Sequence, residues 1–139
     1  MNDQTDSPQP PDLDLIQRVQ RARMEHDQQA TPSAAGGVYW IESKRQGDGP
    51  GPTARAGRFI VMTSADEVDA LWVKIKQATE AGALGYKSKV ATASRAARGS
   101  DRAVHILTYD ADDAADVARV ARALAALGVQ PQEYRRVAD

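Results

Sequence analysis

The chain has 139 residues, 42% of them apolar, which suits one domain with one modest core. With 18 basic against 19 acidic residues it is nearly neutral, which argues against a nucleic-acid coat or a polybasic membrane binder. The absence of cysteine excludes disulfides, zinc–thiolate centres and a cysteine nucleophile, and no apolar run approaches the roughly 18 residues of a membrane span.

Residues 1–12 are polar and carry Pro8, Pro10 and Pro11, a composition that predicts a disordered tail. Asp12 is placed to cap a helix over 13–29, where Ile16, Val19 and Arg23 recur at helical spacing beside Leu15 and Ala22. The apolar stripe is narrow, so this helix is expected on the surface or against a partner. An acidic, proline-containing N-terminus is unlike a signal peptide. Together with the lack of cysteine it sets the expectation of a cytoplasmic protein. The abundance of alanine and arginine points to a bacterial source.

The α+β domain is expected over 37–139. Its first strand is Val38 to Ser43, with Tyr39, Trp40 and Ile41. The glycines and prolines of Gly47 to Pro52 make a loop with no phosphate-loop spacing. Arg58 to Thr63 reads as a second strand. Ser64 and Glu67 have the spacing of a capping box for the helix that follows. On that helix Val68, Leu71, Trp72, Ile75 and Ala78 or Thr79 line one apolar face, and Gly82 and Gly85 are stop signals. Tyr86 to Ala93 is a third strand, Arg95 to Asp101 a basic turn, and Arg102 to Tyr109 a fourth strand. Asp110 and Asp113 open the last helix, whose core face is Val117, Val120, Ala121 and Leu124. Gly128 ends it, Pro131 keeps it from resuming, and Glu133 to Val137 closes the sheet. The fold class is therefore α+β: an antiparallel-rich sheet of about five strands with two main helices on one face, plus the N-terminal helix.

Several short motifs carry a resemblance. Gly57-Arg58-Phe59-Ile60-Val61, followed by a helix bearing Trp72, resembles the cap-binding translation initiation factor 4E fold. A closer likeness is to a smaller family, the basophilic-leukaemia-expressed proteins, whose bacterial members are often labelled phosphothreonine lyase domain proteins. The matching residues are Tyr39-Trp40, Arg55-Ala56-Gly57-Arg58-Phe59, Glu67-Val68-Asp69 with Trp72, Leu84-Gly85 with Lys89-Val90-Ala91-Thr92, and Leu107-Thr108-Tyr109-Asp110. They fall in the family's order and span roughly Val38 to Val137. Arg58 and Phe59 stand where the family has Lys and Trp, and Leu107 where it has Tyr.

Strand alternation sorts the side chains that carry chemistry. Arg58, Ile60 and Met62 share a face. Lys87, Lys89 and Ala91 share a face of the third strand, and His105, Leu107 and Tyr109 one of the fourth. If both helices cover the other side, Arg58, Lys87, Lys89, His105 and Tyr109 gather on the open one. Such donors suit a phosphate or a carboxylate, through charge-assisted hydrogen bonds. The alternative is a solvated face that happens to be basic. His105 is a general acid on one reading and a hydrogen-bonded strand residue on the other. His26 reads as a surface residue, and two distant histidines give no metal signal. Trp72 reads as core; Trp40 is either core or a stacking surface. The acid pairs Asp66/Glu67 and Asp112/Asp113 read as caps.

The expected function is therefore binding of a phosphorylated peptide or other anionic ligand by Arg58, Lys87, Lys89 and Tyr109, with no cofactor, no metal, no membrane and no nucleic acid. The family resemblance implies an alternative, a metal-independent lyase eliminating phosphate from phosphothreonine. Lys89 would then be the base, His105 the acid, and Arg58 and Lys87 the phosphate cations. The third reading is a non-catalytic adaptor binding protein through the N-terminal helix, with Leu13, Ile16 and Val19 exposed. Oligomeric state is left open.

Overall fold

The structure, a computed structural model, describes residues 12–33, 40–92 and 101–138. The expectations for residues 1–11, the start of the first strand at Val38 and the basic turn near Arg95 lie outside these. The elements run α1 (Leu13–Gln29), β1 (Trp40–Lys44), β2 (Gly57–Ser64), α2 (Val68–Glu80), β3 (Lys87–Ala91), β4 (Asp101–Thr108), α3 (Ala114–Ala126) and β5 (Glu133–Arg136). The five strands form one sheet in the order β1-β3-β4-β2-β5, every neighbouring pair antiparallel. The expected α+β architecture is the one observed. None of the described helices is long and apolar enough to cross a membrane.

Register explains why one face is dry. Ile41 pairs with Val90, Val90 with Val104 and Val104 with Val61, while Phe59 pairs with Ile106. Residues directly opposite one another point to the same side, so these six form one apolar surface. Val68, Trp72 and Ile75 of α2 and Val120 and Leu124 of α3 pack against it in a single buried cluster. Both main helices therefore cover the same sheet face, as the two stripes predict. Trp72 is 2% exposed, at the centre of the cluster.

The ends of the helices show where local signals hold and where they fail. Asp12 caps α1, accepting from the Leu15 N–H at 3.0 Å, and Asp113 caps α3 by accepting from Asp116 at 3.0 Å. The Ser64–Glu67 capping box is not formed: α2 begins after Glu67, which makes no side-chain cap bond. Ser64 instead ends β2, paired with Asp101, and its carbonyl accepts from the Glu67 N–H in a turn. Extending the β2–β4 ladder to Ser64 satisfies backbone groups that a cap would have left to the side chains. Both main helices close with Schellman bonds, Ala83 N–H to Ala78 O and Val129 N–H to Leu124 O, each 2.9 Å, around Gly82 and Gly128 at positive φ.

Candidate functional site

The other sheet face carries the ionic side chains. One row across it runs Glu42, Lys89, His105, Ile60, Glu133; the next runs Lys44, Lys87, Leu107, Arg58, Arg135. Lys89 and His105 are thus direct partners on β3 and β4, and Arg58 on β2 is the diagonal neighbour of His105. Direct partners lie about 4.5–5.5 Å apart at Cβ and diagonal ones up to about 7–8 Å, so the three side chains are neighbours on one face.

Trp40, at the start of β1, sits over this group. The Lys89 ammonium lies 4.5 Å from the indole centroid, within cation–π range. The His105 ring is 4.8 Å from Trp40 between centroids, tilted by 41°. The undecided tryptophan is therefore not in the main core but forms the wall of the basic patch. Sequence alone did not place it, because nothing in the chain states that β1 neighbours β3.

Burial, with the nearby Arg58 and Lys89 cations adding to it, lowers the His105 pKa to about 4. The imidazole is thus neutral at physiological pH. Its Nδ1 is buried without a hydrogen-bond partner, and so is Nε of Arg58. Lys87 differs: its ammonium pairs with Glu42 at 3.4 Å, so its charge is partly answered within the sheet. Tyr109 also departs from the expected cluster. It follows the end of β4, and its hydroxyl donates to Asp113 at the start of α3. That bond, helped by burial and the nearby carboxylates, raises the phenol to about 12.

A second network lies at that end of the sheet. Arg55 forks onto Asp110, Nε at 3.1 and 3.2 Å and Nη2 at 2.6 Å from the carboxylate oxygens. Asp112 meets Arg55 at 3.5 Å and Arg136 at 2.6 Å. Asp112 is therefore an ion-pair residue and not a cap; of the two acid pairs read as caps, only Asp113 serves as one through its side chain. Among the described residues, no group of three or more His, Asp or Glu is arranged to hold a metal ion.

Arg55 and Asp110 belong to two different motifs, and their ion pair explains why a basic residue before β2 and an acid after β4 go together. The model of the basophilic leukemia-expressed protein Bles03 matches residues 52–138, more than half of the 139-residue chain. The chain belongs to the Bles03 family. No curated protein matches it. The span shared with Bles03 holds Arg55, Arg58, Lys87, Lys89, His105 and Asp110, and starts beyond α1 and Trp40. The cationic centre of the open face thus lies within the Bles03 match, and its aromatic wall outside it.

Proposed function

We propose that this chain binds a phosphorylated or otherwise anionic ligand on the sheet face opposite α2 and α3. One observation carries the reading. Arg58 Nε and His105 Nδ1, on adjacent strands beside the Lys89 ammonium, are both buried and lack a partner. Buried polar atoms in folded proteins are nearly always hydrogen-bonded. An oxyanion would supply the missing partner to the Arg58 guanidinium. Lys87, whose ammonium pairs with Glu42 at 3.4 Å, is a further cation of this face.

The electrostatics favour binding over turnover. Phosphate elimination would require His105 to hand a proton to the leaving group, and the free protein keeps that imidazole unprotonated at neutral pH. A phosphothreonine peptide incubated with the protein is therefore expected back unchanged by mass spectrometry. A product about 98 Da lighter, the loss of phosphoric acid, would instead support the lyase reading.

A separate observation favours an additional adaptor role. α1 exposes Leu13, Leu15, Ile16 and Val19, with Leu13 67% and Val19 60% exposed. A helix of this length draws most of its stability from packing its apolar face. A photo-crosslinker at Val19 should yield an adduct with a second polypeptide, whereas one at Arg21 on the polar side should not; equal yields from both would remove this reading.

A further inference from the structure

β5 is an edge strand: among the described residues it pairs with β2 on one side and with no strand on the other. The opposite edge, β1, has α1 against it. Glu133, Arg135 and Arg136 of β5 are all exposed. In an antiparallel ladder, successive residues turn their backbone groups alternately toward and away from the neighbouring strand. Val137 N–H donates to Ala56 O at 2.8 Å, which fixes the phase. Glu133, Arg135 and Val137 therefore bond toward β2, while Tyr134 and Arg136 present N–H and C=O outward. Such a row is a template for another strand.

We propose that the strand it takes is β5 of a second copy of this chain, antiparallel and centred on the Tyr134 pair. Charge decides both the occupant and the register. Glu133 and Arg135 share the open face, with Arg135 Nη2 and Glu133 Oε2 3.6 Å apart. Outward groups must meet outward groups, so the centre of a symmetric pairing falls on a residue. A centre at Glu133 sets two carboxylates opposite each other, and a centre at Arg135 sets two guanidiniums opposite each other; like charges so placed are destabilising. A centre at Arg136 sets Arg136 against itself and leaves Glu133 unmatched. A centre at Tyr134 sets Glu133 opposite the partner's Arg135 and Arg135 opposite the partner's Glu133, while the two Tyr134 residues exchange backbone bonds. Charged side chains on an edge ordinarily discourage pairing. Here their alternating sign discourages every register but one, and the strand is self-complementary, as a two-fold contact requires.

The two-fold axis is perpendicular to the sheet. Two five-stranded sheets become one, with the main helices of both copies on one side and the two basic faces next to each other on the other. The inference stands on register and charge alone and does not depend on what those faces bind.

The experiment is sedimentation equilibrium of the full chain over a concentration series reaching millimolar, at low salt. A monomer–dimer equilibrium is expected. Glu133→Arg alone and Arg135→Glu alone should each weaken it by about tenfold or more, because two attractive cross-strand pairs become two repulsive ones. An equimolar mixture of the two variants should associate as tightly as the native chain, since each changed position then faces the opposite sign. That recovery also shows that each variant is folded. A native chain that stays monomeric throughout overturns the proposal. Single variants that dimerise as tightly as the native chain overturn it too, and move the contact off β5. A mixture no tighter than either variant alone overturns the charge-matched register. None of these results bears on anion binding, which the peptide titration tests separately.

Discussion

Arg55 and Asp110, 55 positions apart in the chain, close the end of the β2–β4 pair through a forked ion pair. The same junction is tied by backbone bonds from Ala111 N–H to Arg55 O at 2.6 Å and from Thr53 N–H to Tyr109 O at 2.9 Å. Asp110 is lowered from its ordinary 3.8, first by the Arg55 hydrogen bond and then by the Asp112 backbone N–H. Its contribution is therefore present above that ordinary value and is lost as pH falls through the lowered one. Stability of the native chain should drop on acidification below about pH 4, and Arg55→Ala should flatten that limb. Urea unfolding across pH measures it. In a double-mutant cycle, Arg55→Ala with Asp110→Ala should lose less than the two single losses added, because the second change removes a group already unpartnered.

Trp72→Ala removes the indole from the centre of the cluster and should cost about 3–5 kcal/mol. Val73, its neighbour in sequence, is 51% exposed, and Val73→Ala should stay within about 0.5 kcal/mol of the native chain. Denaturant midpoints of the two variants compare adjacent residues on opposite sides of α2.

Gly85→Ala tests a tight approach. A Cβ at Gly85 would overlap the carbonyl oxygen of Leu107, which is backbone and cannot swing away. The loss should reach about 3 kcal/mol, the upper end for overpacking. Gly128→Ala, at φ +77 with open space around it, should cost only about 1–2 kcal/mol. Thermal melts of both variants decide the order.

The elements were readable because their patterns are strong and local. Val68, Trp72 and Ile75 recur at helical spacing, and the alternation of Val104, His105 and Ile106 separates dry from wet sides. What stayed hidden depends on pairing between distant strands. The antiparallel register of β1 on β3 brings Trp40 to Lys89 and Glu42 to Lys87, and no spacing within one segment encodes that. Tyr109 was counted with the sheet face by alternation, but the strand ends at Thr108 and a nearby carboxylate takes the hydroxyl. Gly85 read as a helix stop, whereas its small size is set by the Leu107 backbone. Arg58, Lys89 and His105 shared a predicted face because alternation alone is enough to put them there.

The anion-binding face is tested most directly by the fluorescence of Trp40. The chain has two tryptophans, and Trp72→Phe leaves Trp40 as the reporter at the basic patch. In that background a phosphothreonine peptide should change the emission saturably, and the midpoint should move to higher concentration as salt rises, because exposed charge is screened. Lys89→Ala and Arg58→Ala should each weaken binding by about tenfold or more, the loss of one charge-assisted hydrogen bond. An unphosphorylated peptide should give no signal. A salt-insensitive response, equal for both peptides and unaffected by Arg58→Ala and Lys89→Ala, would contradict the account.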